Sequence, residues 1–158
     1  MNLPYPGGPS IQKAAERGNA LAFNFPRARL EGTWNFSFSG LKTAVLRTVH
    51  ELEGEGKEIP IENLAASFQR AVVDVLVSKT FEAAEHCNAD DIVVAGGVSA
   101  NHALRKAFMD QKRFAVHIPP FSLCTDNAVM IATAGYYRFQ VGQRDVLDID
   151  VLPSWLLE

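Results

Sequence analysis

The chain has 158 residues, 47% of them hydrophobic and 21% charged, which is the size and balance of one ordinary globular domain. A formal net charge of −3 argues against an autonomous nucleic-acid binder, because RNA phosphates would have to meet a local basic patch or another subunit. The sequence has two cysteines, Cys87 and Cys124, which are predicted to be free thiols. It has no signal peptide and no apolar run of about 20 residues, which predicts a cytoplasmic protein.

Turn residues and apolar spacing divide the first half of the chain into loops, two short strands and three helices. The best helical pattern follows Pro60 and closes at Asn88. Ser39 and Gly40 are predicted to cap the helix before it. In order, the predicted elements are an extended loop over 4–9, a helix over 10–17, strands over 21–25 and 35–38, and helices over about 41–52 and 61–88.

The second half predicts a strand, helix, strand unit of parallel type, over residues 92–95, 101–112 and 114–118. A last helix follows, from about Asp126 to Val141. Its apolar and small residues go almost all the way round, which predicts burial on several sides, and nothing later in the chain is long enough to cover it. The pattern as a whole predicts an α/β protein.

A glycine pair, Gly96 and Gly97, ends the first strand of this unit, and a Ser-Ala-Asn turn opens the next helix. Backbone amides and a helix N-terminus therefore meet where a strand ends, which is how α/β proteins build nucleotide sites. A base or phosphate can approach glycines closely, and Asn101 could hydrogen-bond a base or ribose. The alternative is a plain strand-to-helix turn with Ser99 as its N-cap.

Asp126 stands where a Cys-Thr-Asp-Asn loop enters the last helix, on the edge where the parallel strands should end. Its carboxylate could bind a metal or face a phosphate, or it could only cap the helix, and Thr125 could cap in its place. The four histidines lie on separate elements without HxxxH or HExxH spacing. A zinc or iron ion held by this chain alone is therefore not expected.

Residues 35–43, Asn-Phe-Ser-Phe-Ser-Gly-Leu-Lys-Thr, form a turn with hydroxyl groups and a glycine at a helix start. Such a turn, with Ser39 and Lys42, can bind an anion through backbone amides. It lacks the spaced glycines that precede the lysine of a Walker A loop. The alternative is a capped helix without a ligand.

Four motifs together resemble the C-terminal half of the tRNA N6-adenosine threonylcarbamoyltransferase family, called glycoprotease or O-sialoglycoprotein endopeptidase in older descriptions. The motifs are LPYPGGP over 3–9, NFSFSGLKT over 35–43, VAGGVSANHALR over 94–105 and CTDNAVMIA over 124–132. They occur in the family's order with compatible spacing over essentially the whole chain. One departure is Asn35, where the family commonly has Asp before FSFSG.

The resemblance implies an actin-like, Hsp70-like ATPase fold of two α/β lobes. It implies an adenylate or ATP-type nucleotide and one divalent metal ion, iron or zinc, in the cleft. The implied reaction moves threonylcarbamoyl from threonylcarbamoyl-adenylate to N6 of adenosine 37 in tRNA. On this sequence the resemblance assigns metal binding to Asp126, substrate binding to Asn101, the walls of the adenosine pocket to Gly96 and Gly97, and a place near the cleft to Ser39.

The family's HxxxH metal ligands and N-terminal phosphate loop are not in this sequence. The chain is therefore expected to be half of such an enzyme, with the N-terminal lobe missing. Alone, it is expected to be inactive. Residues 1–123 are expected to form the C-terminal lobe with the adenosine pocket. Residues 124–158 are expected to form the metal-ligand loop, the returning helix and a tail that pack on an N-terminal lobe or chain.

The expected partners are that lobe, the family's paralogue and ATPase partner in the modification complex, tRNA through the complex, and a second copy of the chain, with no membrane. Two other functions remain open. One is a non-catalytic dimerisation or scaffold module like the family's inactive paralogue, which would have no need for Asp126 or Asn101. The other is a metallo-endopeptidase, which the absence of HExxH makes the weakest.

Overall fold

The computed structural model describes residues 3–28, 30, 32–148 and 150, and this part of the chain is mostly helical with one small parallel sheet. Short 3-10 turns at Gly97–Ala100 and Phe121–Leu123 join some of the elements. The elements are α1 (Gly7–Ala15), α2 (Ser39–Gly54), α3 (Ile61–His86), β1 (Asp91–Val93), α4 (His102–Met109), β2 (Ala115–His117) and α5 (Ala128–Gln140).

The long helix α3 is the centre of the packing, because it contributes to each of three apolar clusters. Its fully buried Leu64 packs in a cluster with α2, and its neighbour Ala65 packs against α1. Further along, Val77 packs with β1 and α4. The helix ends at His86 with Cys87 as its C-cap. Asn88, which was predicted to close it, follows with a φ of 51° and allows Ala89 N–H to bond the Ala84 carbonyl at 2.9 Å. The elements α1, α2, β1 and α4 are thus anchored on one helix.

The predicted strand, helix, strand unit is confirmed, with shorter elements. β1 and β2 pair in parallel, with Asp91 opposite Ala115 and Val93 opposite His117. Their carboxyl ends therefore lie at the same edge of the sheet, so the loops that follow Val93 and His117 leave the sheet side by side. This edge brings the two segments with the predicted site residues together.

Two predicted strands are wrong. In the described part of the chain, residues 21–25 and 35–38 form no strand and pair with no other backbone segment. Their alternation is real, because Phe23 and Phe25 stack at 5.9 Å between ring centroids, as Phe36 and Phe38 do at 6.5 Å. The rings of Phe23, Phe25 and Phe38, however, pack in the apolar cluster with α2 and α3, and the pattern reflects that contact.

Two predicted helix starts also differ. α1 begins at Gly7 inside the expected loop, because a proline such as Pro9 is tolerated in a first helical turn, where its missing N–H is not needed. The predicted cap by Ser39 and Gly40 is wrong. Both are the first helical residues of α2, the N-cap position is Phe38, and no side chain caps that end.

The helix α5 is uncovered. None of its residues is buried, and Val129, Ile131 and Tyr137 keep 56%, 76% and 67% of their surface exposed. The predicted tail at 149 and 151–158 lies outside the described residues. Among the described helices, none is both long and apolar enough to cross a membrane. Both cysteines are free thiols, Cys87 exposed and Cys124 buried.

Candidate functional site

The glycine turn after β1 requires glycine at one of its two positions. Gly96 has a φ of 88° and a ψ of 172°, a region that residues with a Cβ avoid. Gly97 has no such φ and starts the 3-10 turn. A Cβ built on either glycine would meet no atom within 4 Å. The space beside both glycines is therefore open to a ligand.

Asn101 is the N-cap of α4. Its Oδ1 accepts a hydrogen bond from the Leu104 backbone N–H at 2.9 Å, and its Nδ2 donates to Gln69 Oε1 on α3 at 2.8 Å. The alternative with Ser99 as the cap is wrong. Ser99 is 1% exposed, and its hydroxyl donates to the Gly96 carbonyl at 2.6 Å, which fixes the glycine turn from within.

An apolar slot of about 130 Å³ lies between α1, α3 and the start of α4. Asn101 and Gln69 supply its two side-chain amides, and Val98 of the glycine turn also lines it. Its other walls are Gly8, Ile11, Phe68, Val72, Val73, Leu76 and Leu104. A mostly apolar slot with a few polar groups suits a flat, largely apolar ring.

Arg105 joins the two loops at the sheet edge. Its guanidinium donates to the Ser99 carbonyl at 3.0 Å and to the Pro119 carbonyl at 2.6 Å, and lies 3.4 Å from the sulfur of Cys124. It also stacks 4.3 Å from the ring centroid of Phe121. The glycine turn and the loop that leads to Asp126 are thus held together by one side chain.

Asp126 lies in the loop between the 3-10 turn Phe121–Leu123 and α5, and neither it nor Thr125 caps α5. The cap is Asn127, whose Oδ1 accepts from Met130 N–H at 3.2 Å. Asp126 is exposed, and in the described part of the chain it has no hydrogen-bond or ion-pair partner. Across those residues, no three His, Cys, Asp or Glu side chains are grouped to hold a metal ion.

The sequence-predicted site residues therefore fall into three groups. Gly96, Gly97 and Asn101 form one continuous turn, and Asp126 lies in the neighbouring loop, linked to that turn through Arg105. Ser39 is exposed at the start of α2. No hydrogen bond between described residues joins it to the glycine turn.

Two residues of the site were not predicted. Arg105 is part of the VAGGVSANHALR segment, so its place one turn into α4 was a usable signal. Gln69 lies 32 positions from Asn101 on another helix, and nothing in its local sequence marks it.

Comparison with known proteins gives matches over nearly the whole chain. The family model for tRNA N6-adenosine threonylcarbamoyltransferase matches residues 1–133. Proteins of that name are 49% identical over 98% of this chain in Dehalococcoides mccartyi strain CBDB1 and 51% identical over 98% in Bacillus subtilis strain 168. A third, from Thermosipho africanus, is 46% identical over 98%. The chain spans about half the length of these relatives, 46–47% of each.

Proposed function

The chain belongs to the tRNA N6-adenosine threonylcarbamoyltransferase family, and we propose that it carries the adenosine-binding part of such a transferase. The complete enzyme would move threonylcarbamoyl from threonylcarbamoyl-adenylate to N6 of adenosine 37 in tRNA. The observation that carries this proposal is the open glycine turn at the end of β1, next to an apolar slot bordered by Asn101.

In this proposal each residue of the turn has a physical task. The slot takes the adenine ring, Gly96 and Gly97 leave room for the ribose and phosphate, and Asn101 donates to the nucleoside. Ser39, at the start of α2, would lie near the cleft. Holding the adenylate in one orientation positions its carbonyl for attack by the tRNA amine, and this positioning accounts for a large part of the rate.

The metal ion that the resemblance implies does not fit the described residues alone. A catalytic zinc site needs about three protein ligands, and among the described residues no two other His, Cys, Asp or Glu side chains are grouped with the exposed carboxylate of Asp126 to hold an ion. We assign Asp126 as one ligand of a site whose other donors come from elsewhere. No step of the chemistry proposed for this chain passes through the ion.

The same reasoning extends to the fold and the partners. Residues 1–123 would be the C-terminal lobe of an actin-like fold, and α5, which has no buried residue, would pack on an N-terminal lobe or chain. The paralogue and ATPase partner of the modification complex would complete the assembly. With a net charge of −3, the chain would meet tRNA through that complex.

Titration of the purified chain with AMP and with adenosine by calorimetry tests the proposal. Asn101→Asp keeps an oxygen that caps α4, so the variant should fold, but it removes the Nδ2 donor. We expect wild type to bind AMP and adenosine weakly. Asn101→Asp should bind adenosine, which carries no phosphate for the added charge to repel, at least about tenfold more weakly.

Asn63→Asp is the matched control, since Asn63 Oδ1 also accepts from a backbone N–H, that of Asn19, away from the slot. It should bind adenosine like wild type. Equal affinity of wild type and Asn101→Asp for adenosine, or no binding of AMP at millimolar concentration, would contradict the proposal.

A further inference from the structure

The two amides that border the slot have fixed orientations. The Leu104 backbone N–H can only donate, so the Asn101 atom 2.9 Å from it must be the oxygen. The other end of the Asn101 amide is then the NH2 group, which can only donate. The Gln69 atom 2.8 Å from it must therefore be Oε1. One backbone donor thus sets the direction of both side chains.

These two hydrogen bonds use the oxygen of each amide as an acceptor and leave some of the amide N–H groups without a partner. Asn101 Nδ2 keeps one hydrogen, and Gln69 Nε2 keeps two, for which no described residue is a partner. Among the described residues no buried side-chain nitrogen or oxygen lacks a hydrogen bond, so Gln69 Nε2 is open to solvent. Each amide oxygen already accepts one hydrogen bond and keeps one lone pair, whereas three N–H hydrogens have no described partner. Because Asn101 and Gln69 both line the slot, they bring these unused donors to its border.

We propose that Gln69 is a specificity-determining residue of this site, which together with Asn101 binds adenine through the hydrogen-bond acceptors of its ring. The proposal rests on the proposed adenosine site. Ring nitrogens N3 and N7 of adenine accept hydrogen bonds, whereas its exocyclic amine donates. Donors in the slot therefore match the ring nitrogens and direct the amine away from Gln69.

The test measures binding of adenosine, which carries no phosphate for an added charge to repel. Gln69→Glu keeps an oxygen that accepts from Asn101 Nδ2 but loses both donors. We expect about tenfold weaker adenosine binding, with the melting temperature of the chain unchanged. Gln111→Glu is the matched control, because Gln111 is exposed after α4, and this variant should bind adenosine like wild type.

Adenosine analogues test the same contact without a variant. We expect 3-deazaadenosine or 7-deazaadenosine, which replace one ring nitrogen by carbon, to bind wild type about tenfold more weakly than adenosine. In Gln69→Glu that difference should disappear, a result that a purely structural role of Gln69 would not give. Equal affinity of wild type for adenosine and both analogues would overturn the inference, even if Gln69→Glu failed to fold.

The outcomes also separate this inference from the proposed function. Weaker adenosine binding by Asn101→Asp with wild-type binding by Gln69→Glu would overturn the role of Gln69 and leave the adenosine site standing. Wild-type binding by both variants would overturn both.

Discussion

Gly96 and Gly97 are neighbours in sequence, but the structure requires glycine only at Gly96. A Cβ at Gly96 would be strained at a φ of 88°, whereas at Gly97 it would only occupy open space. We predict that Gly96→Ala lowers the free energy of unfolding by about 1–3 kcal/mol. Gly97→Ala should stay within about 0.5 kcal/mol of wild type yet weaken AMP binding. Urea denaturation with AMP titration checks both, and equal stability of the two variants would be inconsistent with the turn described.

Substitution of Arg105 is expected to lower the stability of the chain more than substitution of an exposed arginine. Arg105→Met removes two hydrogen bonds to the carbonyls of Ser99 and Pro119 and leaves both without this donor. We expect the free energy of unfolding to fall by about 1–3 kcal/mol. The control Arg47→Met changes an exposed arginine on α2 and should change the stability little. A similar small effect for Arg105→Met in urea denaturation would show that the two loops are held by other contacts.

At the residue scale the sequence indicates where a site could lie better than it indicates the role of each residue in it. The sequence predicts a turn at Gly96 and Gly97 that leads into a helix at Asn101, and the structure has that turn. Three consecutive residues, Thr125, Asp126 and Asn127, can however all cap a helix. Which one does depends on where the backbone becomes extended, and Asn127 has that conformation, with a φ of −153° and a ψ of 154°. Only the path of the chain decides this.

Helices were predicted well because their apolar spacing is set by the helix itself, as on α3 and α4. A strand forms only when it pairs with another strand, and the local sequence does not show which segment that partner is. β1 and β2 have each other, whereas 21–25 and 35–38 alternate like a strand but have no neighbouring strand among the described residues. Phe25, for example, is 4% exposed in the cluster between α2 and α3.

The exposure of α5 predicts that its apolar side chains do not stabilise the isolated chain. Ile131 is 76% exposed, whereas Leu64 of α3 is fully buried. We expect Leu64→Ala to lower the free energy of unfolding by about 2–5 kcal/mol and Ile131→Ala to change it by less than about 0.5 kcal/mol in dilute solution. A large effect of Ile131→Ala on urea denaturation, at a concentration where the chain is monomeric, would mean that α5 is packed within the chain.

For the whole molecule, an uncovered apolar helix implies association. Each Val, Ile or Met side chain that leaves water contributes about 1.5–3 kcal/mol, and α5 exposes Val129, Met130 and Ile131 together with two tyrosines. We predict that the isolated chain forms dimers or larger species at micromolar concentration. Light scattering coupled to size exclusion measures this, and Ile131→Lys combined with Tyr137→Lys should restore a monomer. A monodisperse wild-type monomer with α5 amides protected from hydrogen exchange would contradict the prediction.

The central claim is that this chain binds adenosine at the edge where β1 and β2 end. The most direct measurement is a nuclear magnetic resonance titration of the isotope-labelled Ile131→Lys, Tyr137→Lys chain with AMP, following each backbone amide and the side-chain amides. We predict concentration-dependent shifts at Gly96, Gly97 and Asn101 and at the side-chain NH2 of Gln69. Shifts confined to residues away from this edge, or no shifts at millimolar AMP, would contradict the claim.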